Sequence, residues 1–425
     1  MYPQLTEIDF EQPVRNRTRL RTIYLVFLVW PFLAVINALR NFRQPYAKNI
    51  IWLFITFYGA TMVFVSDALD GARIISSFNA ASQSGFNLVD NYFIEGGYLD
   101  ILQPFLLYAV SKVTHDTRIL FACMGFIFGF FYSRNLWFLI GITKDRDRRV
   151  LIFIFLFSLI IPFWEINGFR MWTAAHILFY GISRYLYYGD KKFLFISLLS
   201  PLVHFSFFFA VVVILLFLLF RPSIKLSFLI FLIACVIQEL NLDIRALQSF
   251  FPAALQSKFE GYGNIEWAES VRKMHETMHW YAKLYNPVIE YLLDSIMLLI
   301  FIFSRKIEFK NIDRNQSSFI SFSLWFAAFS RLLSAMPFGD NYRFVIISNL
   351  FLTATIIILF TVRLRELNLK NLYFITLIFI GFYSIVQIRI GFDRIGISTF
   401  MTNPLTLWFF EDSKPLIVFI KGLFG

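Results

Sequence analysis

Apolar runs long enough to cross a lipid bilayer recur along this chain, and no other feature narrows its fold as much. A helix crossing the hydrocarbon needs about 20 predominantly apolar residues. Candidate spans cover residues 22–38, 50–66, 119–141, 151–165, 172–188, 193–220, 226–240, 287–304, 319–335, 344–362 and 372–388. Backbone groups in lipid must be satisfied within a helix or a closed barrel, and the runs lack the alternation of barrel strands. The sequence therefore predicts an all-α polytopic integral membrane protein of about 11–13 transmembrane helices, a single transmembrane domain over residues 1–425.

Composition excludes the other classes. Of the 425 residues 58% are hydrophobic, 16% are charged and 56 are Phe. Soluble domains carry about 25% charged residues, and a single soluble core stops growing near roughly 250–300 residues. A soluble enzyme, a disordered chain and a disulfide scaffold are all excluded. Cys123 and Cys235 lie in apolar runs and imply no disulfide framework. No cleavable leader is expected, because the first run contains Trp30-Pro31 and lacks a small-residue cleavage pattern.

The formal charge of +11 is a statement about topology. Lys and Arg collect in cytoplasmic loops. Alternate loops hold Arg40, Arg43 and Lys48; Lys144, Arg146, Arg148 and Arg149; Lys191 and Lys192; Arg221 and Lys225; Arg305, Lys306, Lys310 and Arg314; and Arg363, Arg365 and Lys370. The tail with Arg15, Arg17, Arg19 and Arg21 runs against the rule, since the count places it outside. No basic stripe interleaves with aromatics on a polar segment, so no nucleic-acid partner is expected. Residues 193–220 are too many for one upright helix and few for two, yet basic loops flank both ends. A break at Pro201 and a hairpin turning near His204 reconcile the two facts. Three polar stretches then face outward: residues 67–118, a first outer loop with a candidate re-entrant helix at 98–113; residues 241–286, a large outer loop with an amphipathic helix; and residues 330–343. Residues 389–425 read as an interfacial C-terminal segment.

Few motifs carry chemistry. Asp145-Arg146-Asp147 has the spacing of a metal-holding D-x-D but sits in a basic loop, where a solvated turn is the plainer reading. His275-Glu276-Thr277-Met278-His279 matches H-E-x-x-H, which on a helix can hold zinc with the Glu as base. Arg272 and Lys273 disfavour a dication there, and no third ligand motif follows. A metal-free outer site and a plain amphipathic helix are the alternatives, and neither metal nor cofactor is expected. Arg170 opens a span at the outer face, His176 follows within that span, and His204 precedes Ser206 in the broken segment. Each is a snorkelling or hydrogen-bonded structural residue, or part of a site. The same choice holds for Arg331, Asp340 and Arg343 around the third outer stretch, and for Asp67, Asp70 and Arg73 in the first.

Taken together, Asn167-Gly168-Phe169-Arg170 with Ala174, then Gly189-Asp190-Lys191-Lys192, then His204-Phe205-Ser206, resemble the EpsG-like and Wzy-type polysaccharide polymerases. Gly96-Gly97-Tyr98-Leu99, Asn341-Tyr342-Arg343-Phe344 and the Asp70–Phe78 spacing are similar to further elements of that family. Met171, Phe207, Gly96 and Ile74 depart from its pattern. The resemblance implies a GT-C-like membrane glycosyltransferase in the bacterial inner membrane. It would join oligosaccharide repeats carried on undecaprenyl diphosphate at the outer face, among membrane lipids and with a chain-length regulator protein as a further partner. Arg170, Arg331 and Arg343 would hold diphosphates, and His204, His275 or Asp340 would be the base. Asp70, Arg73, His176 and His279 are further candidates. A flippase for the same lipid-linked sugars and a membrane zinc protease using His275 and His279 are the competing functions.

Overall fold

The computed structural model describes residues 13–64, 70–83, 85–94, 99–143, 148–240, 277–302, 312–335, 342–362, 370–410 and 414–424. These form helices α1 (Pro13–Val29), α2 (Pro31–Arg40), α3 (Pro45–Thr61), α4 (Asp70–Ala81), α5 (Leu102–Ser111), α6 (Thr117–Ile142), α7 (Arg148–Ile160), α8 (Phe169–Tyr188), α9 (Lys191–Leu198), α10 (Ser200–Val203), α11 (Phe208–Phe220), α12 (Ile224–Glu239), α13 (Trp280–Ile302), α14 (Arg314–Ser334), α15 (Tyr342–Val362), α16 (Lys370–Phe392), α17 (Ser398–Met401) and α18 (Leu416–Phe424). Extended pairing among the described residues is confined to two isolated bridges, Met62 with Ile395 and Gly396 with Pro415. The architecture is all-α.

Local chemistry marks the helix ends. Proline opens α1, α2 and α3, where its missing N–H costs nothing. The side chains of Asp116, Asp190 and Ser223 cap α6, α9 and α12 by accepting the N–H of Arg118, Lys192 and Leu226. Gly189 closes α8 at φ 77°, a backbone that disfavours a side chain.

Among the described residues, five helical stretches are long and apolar enough to cross a membrane: Thr117–Ile142, Arg149–Tyr188, Trp280–Ile302, Tyr342–Thr361 and Phe374–Phe392. Arg149–Tyr188 holds two helical legs, because Pro162 ends the first and a 3-10 turn, Phe163–Gly168, leads into α8. Most of the other apolar runs form shorter, kinked or broken helices, while α14 has the length, at 21 residues, but is more polar. The first kinks at Trp30, α3 has 17 residues, and α12 has 16. A count of apolar runs reaches a higher figure than a count of long apolar helices because hydropathy ignores breaks in the helix.

The hairpin expected in residues 193–220 is present. Lys191 and Arg221 line one cavity, whereas His204, between them, lines another. The chain therefore goes out through α9 and α10 and returns through α11. The candidate re-entrant helix forms as α5, which packs on α4, α6, α8 and α10.

Close packing supplies what hydrophobicity cannot between helices in lipid. α3 and α6 meet along Gly59, Gly125 and Gly129. A Cβ on Gly125 would stand 2.6 Å from the Ile55 carbonyl oxygen, and one on Gly59 would overlap the Phe121 carbonyl. α15 is the hub, with 89% of its apolar window buried, and packs on α7, α13 and α14. The C-terminal region folds back over α2, α3 and α6. Thr399 hydrogen-bonds Thr61 at 2.8 Å, Trp30 donates to the Phe400 carbonyl at 2.9 Å, and Arg118 donates to the Leu407 and Phe410 carbonyls.

Gly125→Val should separate α3 from α6 and lower stability by about 1–3 kcal/mol, the usual cost of overpacking. Gly141→Val, whose added Cβ meets open space, should change the melting temperature of the detergent-purified protein far less.

Candidate functional site

A cavity of about 490 Å³ opens where seven separate stretches of chain meet, on the side opposite the basic loops. The turn between α7 and α8 forms its floor. Pro162 ends α7, and the 3-10 turn presents Glu165 and Asn167. Gly168 lets the chain pass the Trp172 indole, since a Cβ there would lie 2.8 Å from the ring. Arg170 then enters in the first turn of α8.

The first outer loop is pinned onto that turn. The Gly71 N–H donates to Asn167 Oδ1 at 3.0 Å. This bond fixes the start of α4 and sets Asp70, Arg73 and Ser77 along one wall. A second tie comes later in the loop, where Arg170 Nη1 donates to Asp100 Oδ2 at 3.0 Å. Asp100 is buried at 5% exposure, so its charge needs the guanidinium. The Ile101 N–H donates to the Leu202 carbonyl at 2.8 Å, joining this stretch to the hairpin of residues 193–220.

His204 sits at the hairpin tip in extended backbone, between α10 and a 3-10 turn, Phe205–Phe207. The Ser206 N–H donates to His204 Nδ1 at 3.3 Å, and the Ser206 hydroxyl lies 2.8 Å from the same nitrogen. A backbone N–H only donates, so Nδ1 accepts and the neutral ring carries its proton on Nε2. In this tautomer His204 offers a donor. Tyr285 and Asn286 of α13, Tyr342 and Arg343 of α15, and Arg394 beyond α16 complete the cavity. Arg394 pairs with Glu165, and the Tyr58 hydroxyl donates to the Arg394 carbonyl at 3.1 Å. Four arginines line the cavity against the carboxylates of Asp70 and Glu165. Guanidinium forks and a donor imidazole suit an anion with several oxygens, a diphosphate above all.

Of the residues singled out in the sequence, the fold brings Asp70, Arg73, Arg170, His204 and Arg343 to this cavity. It places three others elsewhere. His176 is wholly buried in α8, edge-on to Phe128 and Tyr132, with the Asn135 amide donating to its carbonyl at 2.8 Å. Arg331 is wholly buried between α13, α14 and α15. It donates to Asp294 at 2.8 Å and lies 3.3 Å from Glu290. Tyr342, at the cavity, donates to Glu290 at 2.6 Å, so Arg331 stands behind the wall. His279 lies exposed just before α13, its ring stacked with Tyr281. His275, Glu276, Asp340, Asp67 and Asp145-Arg146-Asp147 lie outside the described residues, as does most of the amphipathic stretch of the large outer loop. No group of three or more His, Cys, Asp or Glu side chains with metal-binding geometry occurs among the described residues.

Two charged residues of the cavity, Glu165 and Arg394, and the Arg170 partner Asp100 escaped sequence reasoning. Asp100 follows Gly96-Gly97-Tyr98-Leu99 by one position. Glu165 ends an apolar run, and a carboxylate at such a boundary was the available signal. Arg394 lies in the segment read as interfacial, and only folding carries it to Glu165.

Arg331→Met should cost about 3–5 kcal/mol by leaving two buried carboxylates unpaired. Arg343→Gln, at the half-buried cavity wall, should leave the stability within about 0.5 kcal/mol of wild type. Thermal unfolding of both variants in detergent distinguishes a structural arginine from a ligand-facing one. Compared with models of protein families, with curated proteins and with solved structures, the chain matches none.

Proposed function

We propose that this protein is a polysaccharide polymerase of the bacterial inner membrane. It transfers an undecaprenyl-diphosphate-linked glycan chain onto the next lipid-linked repeat at the outer face. The observation that carries this reading is the convergence of Arg73, Arg170, Arg343 and Arg394 with His204 and two carboxylates in one cavity on the side away from the basic loops. The same arrangement favours a GT-C-like glycosyltransferase, whose site also lies at the outer ends of the spans.

In the reaction the bond between the donor's anomeric carbon and its diphosphate oxygen breaks, and a bond from an acceptor hydroxyl to that carbon forms. The lipid diphosphate leaves with the bonding electrons. Its growing charge is what the site must stabilise, and guanidinium groups held before the reaction do so without a divalent ion. Arg170, pinned by Asp100, is the best oriented of them. Arg343 and Arg73 reach from α15 and α4. The proton on His204 Nε2 suits a hydrogen bond to a diphosphate oxygen. The hydroxyl proton goes to a carboxylate. Asp70 is the more available of the cavity pair, being 3.9 Å from Arg73, whereas Glu165 is committed to Arg394. His275 and Asp340 remain candidates for the base.

One observation favours the flippase reading. The Glu290–Asp294–Arg331 cluster places three charges well inside the helical bundle, as lipid-linked sugar transport would require. The two functions differ in what they leave behind. A deletion strain should keep single repeats on surface lipid and lose the polymer ladder. Loss of all surface repeats would establish the flippase instead. Arg170→Ala and Arg343→Ala, at normal protein levels, should each reduce the ladder by about 100-fold or more, the usual cost of a lost transition-state donor. A full ladder in both variants would overturn the site.

A further inference from the structure

A second cavity, of about 530 Å³, lies at the opposite end of the helices, among the basic loops. Lys191, Arg221 and Arg314 line it, and no carboxylate does. Among the described residues none of the three makes an ion pair. Asp190, beside Lys191, is taken by Lys192 at 2.7 Å. Asp313 stands at the N-cap of α14 but outside the lining.

Three further features give the cavity one electrostatic sign. α12 and α14 both begin at it, and helix N-termini carry partial positive charge. The hydroxyls of Ser317 and Ser318 line it without a hydrogen-bond partner among the described residues. Ser321, by contrast, is spent on the Pro222 carbonyl at 2.6 Å and on Ser227 at 2.8 Å, a bond that locks α12 to α14.

Arg221 itself has φ 43° and ψ 56°, the one left-handed non-glycine residue among the described ones. It occupies the position after a helix where glycine is the usual solution, and Gly189 takes that position after α8. A long cationic side chain held in a strained backbone at a cavity mouth is the kind of outlier that collects at ligand clamps. The cavity also has an apolar flank, Phe217, Leu218 and Leu186. Cations and serines beside a greasy wall match a phosphate with an attached chain.

We propose that this cavity binds a phosphate group, carried by an anionic phospholipid of the adjoining leaflet or supplied from the aqueous phase. Arg221 and Arg314 provide the forks, Lys191 a point charge, and the serines and helix ends the remaining donors. The proposal rests on residues outside the arginine-lined outer cavity and stands whether or not that cavity polymerises glycans.

The test uses the purified full chain in phosphatidylcholine nanodiscs, with phosphatidylglycerol titrated into the bilayer in one arm and inorganic phosphate into the buffer in the other. Melting temperature is the readout. Arg221→Gly keeps the turn, because glycine accepts this backbone without strain, so loss of folding does not confound it. Wild type should be stabilised in at least one arm, and the arm that responds identifies the source. Arg221→Gly and the double variant Lys191→Gln/Arg314→Gln should each need about tenfold more of that probe. Lys225→Gln, a basic residue in the first turn of α12 outside the lining, should respond as wild type. A wild type unmoved by both probes overturns the site. So do cavity variants that titrate like wild type, or a Lys225→Gln variant weakened as much as Arg221→Gly, which would mean diffuse surface charge.

Discussion

A charge drawn into the apolar part of this molecule must find its partner within the chain, and much of the architecture follows from that demand. Arg331 does so with Glu290 and Asp294 on a neighbouring helix. Arg170 does so with Asp100, and Arg394 with Glu165. Arg184 has no carboxylate partner among the described residues. It donates to Asn135 and to the carbonyls of Tyr180 and Arg134, and lies 3.8 Å from the centre of the Tyr180 ring. Each pairing ties together segments distant in sequence. Removing one member leaves a buried charge whose desolvation nothing offsets. The ionic contacts therefore act as specific fasteners in a bundle whose apolar faces would otherwise tolerate many registers.

The arginine-lined cavity owes its shape to interrupted helices. Pro162 ends α7 and opens a 3-10 turn, and the extended backbone at His204 divides the hairpin of residues 193–220. Irregular backbone inside a membrane protein is tolerated where it lines a polar cavity, because its free N–H and carbonyl groups then have partners. Here the Asn167 side chain serves that purpose for Gly71, and His204 Nδ1 serves it for Ser206. The residues that break the helices are thus close neighbours of those that line the cavity. The cavity at the other end arises differently. It lies between helix ends that are capped and locked by Ser223, Ser227 and Ser321.

Much of this was legible in the sequence because membrane insertion is a strong one-dimensional filter. The hairpin near His204 followed from the length of residues 193–220 and from basic loops at both ends, and the fold has it. Arg170, Arg343, Asp70 and Arg73 stood out as charged residues at span boundaries or in outer stretches, and His204 as an ionisable residue within a broken apolar segment, and the fold gathers them. Arg331 shows where that logic stops. Its position beside an outer loop suited a ligand-binding role, yet burial depends on which helices pack against it, and those carry Glu290 and Asp294. Gly125 and Gly129 were open to the same kind of reading, since small residues four apart mark close helix contacts.

The sequence by itself determined that the chain is helical, that several of its helices are long and apolar enough to cross a membrane, and where its basic loops fall. Those properties depend on local composition summed over a span, so each run declares them alone. Only the tertiary structure decided which polar residues share a cavity. Asp100 reaches Arg170, Glu165 reaches Arg394, and Lys191 stands near Arg221 through packing between segments far apart in the chain. Partner choice of that kind is set by which helix faces meet, and no single run of sequence carries that information.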